Sequence, residues 1–226
     1  MLRQTFEREM QHLQDELLVL GSMVENAITE SVETLKKRDM EGSRQLIAND
    51  RLINETRFRI EADALTVIAT QQPIAGDLRV LASTLEIAAE LERMGDYAKG
   101  IANINLMLGE EALLKPLVDI PRMAVKARDM LHRALEAFIK RDIALARAIP
   151  PEDDEVDDLY NQVYRELVTL IFANPKKIEH ANYLLWAAHN LERAADRVTN
   201  ICERTIFTVT GEMAEIGKEG SGYRLG

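Results

Sequence analysis

Leu91-Glu92-Arg93-Met94-Gly95-Asp96 returns about a hundred residues later as Leu191-Glu192-Arg193-Ala194-Ala195-Asp196, and this echo decides how the chain is built. Residues four apart on a helix lie one turn above each other on the same face. Glu92 with Asp96, and Glu192 with Asp196, therefore each present a two-carboxylate pincer. Over residues 85–104, seven of twenty positions are identical to their counterparts in the second half, more than shared helical composition gives. The identities include polar residues off the apolar stripe, which amphipathic periodicity alone does not require.

Working outward from that stretch, the landmarks recur in the same order. Lys37-Arg38-Asp39 matches Lys140-Arg141-Asp142, Asp50 matches Asp153, Asn54 matches Asp157 and Pro73 matches Pro175. Between the landmarks run helical stripes. Phe6, Met10, Leu13, Leu17, Leu20, Val24, Ala27, Ser31 and Leu35 step by threes and fours down a first helix, which ends at Lys37-Arg38-Asp39. Leu46, Ile53, Ile60, Ala64 and Val67 mark a second helix, interrupted by the misfit Asp50 and stopped before Gln72-Pro73. A third is expected to start near Pro73 and to bury Leu78, Leu81, Leu85, Ala88, Leu91, Ala98, Ile101 and Leu108.

After a connector broken by Gly109, Pro116 and Pro121 the pattern restarts. Met123, Ala127, Met130, Leu131, Ala134 and Phe138 mark a fourth helix, and Pro150-Pro151 forces a break. Val156, Tyr160, Val163, Leu167 and Leu170 carry the fifth as far as Asn174-Pro175. Leu184, Ala188, Leu191, Ala195, Val198, Cys202 and Thr205 carry the sixth. The reading is all-α: two tandem homologous three-helix bundles of six long helices, over residues 1–110 and 119–212, with a flexible glycine-rich tail at 213–226. Met94, Met107 and Met123 are expected as core fillers, and Gly95 as a point of close helix approach.

Composition bounds the function. A chain of 226 residues that is 46% hydrophobic can bury a sizeable core. Its formal charge of -10, from 38 acids and 28 bases, disfavours nucleic-acid phosphates and anionic bilayers as partners. The single Cys202 cannot form an intramolecular disulfide, which fits a reducing compartment. The N-terminal residues carry no apolar signal-like core, and no run approaches the ~18 apolar residues of a membrane span. A cytoplasmic protein is expected, reaching a membrane only peripherally and through partners.

Superposing the halves pairs each pincer with acids on the preceding helix. The candidate metal ligands are Asp50, Asn54, Glu92 and Asp96 in the first half and Asp153, Asp157, Glu192 and Asp196 in the second. Oxygen-only ligation suits Mg²⁺, Ca²⁺, Mn²⁺ or iron, with Zn²⁺ the less natural choice in the absence of cysteine. His189, three residues before Glu192, can join the second site, whereas its counterpart is Ala89. The blander reading makes these acids solvated helix charges. Recurrence on two helices in both halves balances it.

Gln72-Pro73-Ile74-Ala75-Gly76-Asp77-Leu78-Arg79, followed by the two E-x-x-x-D words, resembles the PhoU family over about residues 6–210. The resemblance implies a pair of three-helix bundles and a cytoplasmic, non-enzymatic negative regulator of phosphate uptake and phosphate-starvation signalling. It implies as partners the ATPase of the phosphate ABC transporter and the membrane sensor histidine kinase of the phosphate response. It also implies metal, in some members iron clusters, at Glu92, Asp96, Glu192 and Asp196, with Asp50, Asp153 and Asp157 on the partner helices. Asn54 departs from the acidic pattern, and the Asp77 and Arg79 pair gives way to Lys177 and Glu179. A homodimer is compatible with long helical seams. Two alternatives stay open: a ferritin-like carboxylate oxidase, for which only Glu9 with His12 has E-x-x-H spacing, and a metal-free helical scaffold.

Overall fold

The computed structural model describes residues 2–109 and 111–213, whose regular structure is entirely helical. The order is α1 (Leu2–Lys37), α2 (Met40–Gln71), α3 (Ala75–Met107), α4 (Asp119–Lys140), α5 (Ile143–Ala148), α6 (Asp153–Ala173) and α7 (Ile178–Thr210). Short 3₁₀ turns, Pro150–Glu152 and Pro175–Lys177, lead into α6 and α7. The tail expected beyond Met213 lies outside the described residues.

The duplication is visible in the backbone. At Lys37-Arg38-Asp39 the chain leaves α1 with Arg38 at φ +56° and the Asp39 amide donating to the Thr34 carbonyl at 2.9 Å. At Lys140-Arg141-Asp142 it leaves α4 with Arg141 at φ +54° and the Asp142 amide donating to the Ala137 carbonyl at 2.9 Å. Both are left-handed turns that satisfy the last free carbonyls of a helix. In both, the aspartate then caps the next helix: Asp39 accepts from the Gly42 amide and Asp142 from the Leu145 amide.

The halves diverge at the middle helix. In the first half α2 runs unbroken for 32 residues. In the second, Pro150 and Pro151 lack amide donors and divide the same stretch into α5, a 3₁₀ turn and α6. Asn174 accepts from the Lys176 amide and starts the turn into α7, as the Asn-Pro pair suggested. α3 begins at Ala75 rather than at Pro73, because Gln72 takes a left-handed cap and Ile74 stays extended.

The two bundles share one continuous core that takes residues from α1 through α7. α3 packs against α7 and α1 against α4. The first of these pairings is antiparallel: Arg79 Nε donates to the Thr208 carbonyl at 3.3 Å, Thr208 Oγ1 to Ser83 Oγ at 3.0 Å, and Asn200 Nδ2 to Glu90 Oε2 at 3.3 Å. Two glycines permit close helix contacts, one between the bundles and one within the first. A Cβ on Gly21 of α1 would overlap Leu135 of α4, and one on Gly95 would stand 3.0 Å from Ile53 Cδ1 of α2. The close approach anticipated at Gly95 is thus to α2. Met94 and Met123 fill the core, but Met107 is exposed at the end of α3, and Leu78 is 42% exposed in its first turn.

Candidate cation sites

The first site lies between α2 and α3. Asp50 is buried, with 6% of its surface exposed. A buried carboxylate is costly unless a charge or donors compensate it, and Lys99 supplies both. One turn beyond Asp96 on α3, its Nζ lies 2.8 Å from Asp50 Oδ2 and 3.5 Å from Asp96 Oδ1. Asn54 Nδ2 donates to Asp50 Oδ2 at 3.2 Å, which leaves Asp50 Oδ1 buried without a hydrogen bond. The Asp50 hydrogen bond is the main reason the Lys99 pKa is raised. Burial raises the Glu92 pKa, Asp96 adds to the rise, and the charge of Arg57 on α2 opposes it.

The second site lies between α6 and α7 and is charged differently. Burial, reinforced by Asp196, Asp157 and Glu192, raises the Asp153 pKa to about 7. The Glu192 pKa is raised by burial first and then by Asp196, with His189 pulling the other way. His189 Nδ1 stands 3.1 Å from Glu192 Oε2 without hydrogen-bond alignment, and its ring lies 6.0 Å from that of Tyr160. The Asp153 Oδ1 and Glu192 Oε2 atoms are buried and without hydrogen bonds.

The eight sequence-derived ligands thus fall into two groups of four, each spanning two neighbouring helices. Their oxygens do not converge. Among the described residues, no three or more His, Cys, Asp or Glu side chains are gathered tightly enough to hold a metal ion. The fit is therefore one of chemistry. Asp157 and Asp196 raise the energy of the charged forms of Asp153 and Glu192, and these two hold buried oxygens without hydrogen bonds. A hard cation held by these carboxylates would relieve both costs.

Sequence reasoning missed Lys99 and Arg57. The signal was present in the repeat alignment, where Lys99 stands opposite Thr199 and Arg57 opposite Tyr160. The buried Cys202, whose thiol pKa is pushed up to about 12 by burial, takes no part in either site.

Fold and sites together define a class: a tandem-repeat helical protein carrying a group of acids between two helices of each repeat. The PhoU domain family model matches residues 17–104 and 120–205, one match in each half. The chain is 35% identical over 217 residues to the phosphate-specific transport system accessory protein PhoU homolog of Clostridium acetobutylicum, covering 96% of this chain and 99% of that protein. It is 35% identical over 208 residues to the homolog of Aquifex aeolicus, covering 92% of this chain and 94% of that protein. The crystal structure of PhoU from Pseudomonas aeruginosa superposes with a TM-score of 0.86 at 31% identity, over 92% of this chain and all of that one. The phosphate transport system regulatory protein PhoU from Streptococcus pneumoniae gives 0.86 at 30%, over 92% and 99%. The chain belongs to the PhoU family.

Proposed function

We propose that the chain is a non-enzymatic regulator of phosphate transport that works in the cytoplasm and restrains phosphate uptake and starvation signalling when phosphate is plentiful. The observation that carries this reading is the end-to-end match to accessory proteins of phosphate-specific transport systems, with nearly the whole of both chains aligned. Its partners on this reading are the ATPase of the phosphate ABC transporter and the sensor histidine kinase. Contact with the membrane is peripheral and made through them. No helix among the described residues is long and apolar enough to cross a bilayer, which accords with that role.

The acidic pockets serve, on this reading, as cation sites. Asp153, Asp157, Glu192 and Asp196 hold the ion in the second bundle, and the neutralised pocket then fixes α6 against α7 for partner docking. Asp50, Asn54, Glu92 and Asp96 form the matching pocket. Oxygen ligation favours Mn²⁺, Mg²⁺, Ca²⁺ or iron over Zn²⁺.

The test is co-purification of the full-length chain with the transporter ATPase and with the sensor kinase, at high and low phosphate. Capture of either partner, stronger at high phosphate, is expected. Absence of both at every phosphate level removes the regulatory reading. Elemental analysis of the wild-type protein and of Glu192→Ala tests the cation separately, and equal metal content in the two removes that assignment.

A further inference from the structure

We propose that Lys99 is a tethered cation: its ammonium occupies the first acidic pocket in place of a metal ion, so that the exchangeable cation of this chain belongs to the second bundle alone. The inference rests on the cation reading of the pockets given above.

The geometry is that of a bound ion. The Lys99 ammonium spans α2 and α3, 2.8 Å from Asp50 Oδ2 and 3.5 Å from Asp96 Oδ1, and so bridges the two elements that a metal would bridge. It reaches Asp50, whose side chain is 7% exposed, from a lysine that is itself only 35% exposed. Asn54 replaces what in the other half is an acid, and Arg57 adds a second positive charge felt by Glu92. The first pocket thus sets Lys99 against Asp50 and Asp96, while Arg57, ion-paired with Glu61 at 2.8 Å, acts on Glu92 through its charge alone.

The second pocket has lost each of these features. Thr199 stands where Lys99 does, its hydroxyl donating to the Asp196 carbonyl at 2.7 Å. Tyr160 stands where Arg57 does, against the His189 ring. The nearest arginines of α7 are engaged with α3: Arg193 lies over the Tyr97 ring at 4.7 Å, and Arg197 reaches Glu90 at 3.6 Å. Asp153 Oδ1 and Glu192 Oε2 are buried there without hydrogen bonds. An ammonium offers three donors and one charge but cannot bind a carboxylate through both oxygens as a metal can. The unpartnered Asp50 Oδ1 marks the coordination that Lys99 leaves unused.

The experiment counts ions. Full-length protein, stripped with a chelator, is titrated with Mn²⁺, and free Mn²⁺ is read by electron paramagnetic resonance. Lys99→Thr, which copies the second half, is expected to bind one equivalent more than wild type. Adding Asp50→Ala to Lys99→Thr should remove that extra equivalent, whereas adding Glu192→Ala should leave it. Lys99→Arg should match wild type. If Lys99→Thr binds no more Mn²⁺ than wild type, or if Asp50→Ala alone strips an equivalent from wild type, the proposal is overturned. Lys99→Met serves if Lys99→Thr fails to fold, with circular dichroism as the check. A wild type that takes no Mn²⁺ while Lys99→Thr takes one would remove the cation reading of the second bundle and leave Lys99 in its assigned place.

Discussion

The two bundles share a backbone plan and differ in how they balance charge. Both leave their first helix through the same left-handed turn, both cap the next helix with the aspartate that follows, and both set acids on two adjoining helices. In the first, Lys99 closes the pocket from within, and α2 runs straight past it. In the second, Pro150 and Pro151 break the equivalent helix just before Asp153, and no lysine takes the place of Thr199. Duplication preserved what the backbone needs and released what the pockets hold. On the cation reading, one pocket is a fixed element of the fold and the other responds to its surroundings.

The largest expected effect tests whether the first pocket is a fixed element. Lys99→Met leaves Asp50 buried without its counter-charge, and such losses cost roughly 3 kcal/mol, somewhat less here because Lys99 is partly exposed. Thr199→Met at the matching position removes a hydroxyl bonded only within its own helix and should cost under about 1 kcal/mol. Urea denaturation of both variants measures the contrast. Equal losses would mean that the two pockets depend on these positions alike.

Next in size is the response to an ion. A ligand present at a hundred times its dissociation constant stabilises the folded state by about 2.7 kcal/mol. Saturating Mn²⁺ should raise the melting temperature of wild type, and Glu192→Ala should abolish the rise. Asp50→Ala is destabilised yet should keep the rise, since its loss falls on the other bundle. Differential scanning fluorimetry with and without a chelator reads all three.

These contrasts were only partly legible in the sequence. Helix seams, the Lys-Arg-Asp turns and the proline breaks could be read because each is local or periodic, fixed by residues a few positions apart. The repeat also marked seven acids and Asn54 as candidates. Lys99 could not be assigned from spacing, because a lysine three residues after Asp96 reads as an ordinary surface pair. Its closer partner, Asp50, is 49 residues away and becomes a neighbour only when α2 and α3 pack. The same holds for Gly21, whose role shows only when Leu135 of α4 is placed against it. Exposure at Leu78 and Met107 escaped notice because an apolar stripe continues in sequence past the point where its neighbouring helices end.

A smaller effect should have opposite signs in the two pockets. With its pKa raised to about 7, Asp153 keeps its proton in the folded chain at pH values where the unfolded chain has released it. Metal-free protein therefore loses stability as pH rises from about 4 to about 7. Asp153→Asn removes the charge and should stabilise the metal-free protein at pH 7.5 by roughly 1 kcal/mol, a figure reduced for partial solvent screening, with little effect near pH 4. Asp50→Asn removes the partner of Lys99 and should destabilise at pH 7.5. Chemical denaturation at the two pH values decides the matter: two changes of the same sign would mean that the pockets are electrostatically equivalent.

The smallest effect concerns His189, which the first half replaces by Ala89. Its Nδ1 lies 3.1 Å from Glu192 Oε2, and its charge acts to lower the Glu192 pKa, so it is placed either to steady that carboxylate or to ligate beside it. The two roles differ in their preference among metals. Imidazole favours Zn²⁺ over Mn²⁺, whereas a positioned carboxylate serves both ions. His189→Ala should weaken Mn²⁺ binding about threefold, roughly 0.6 kcal/mol. If the histidine ligates, Zn²⁺ should weaken several times more than Mn²⁺. Ala89→His supplies the same ring to the first pocket, where Lys99 already holds Asp50 and Asp96, and should change neither affinity. Competition titrations with the two ions separate the roles. Parallel losses would make His189 a positioning residue for Glu192, and a gain from Ala89→His would mean that the first pocket admits metal despite its lysine.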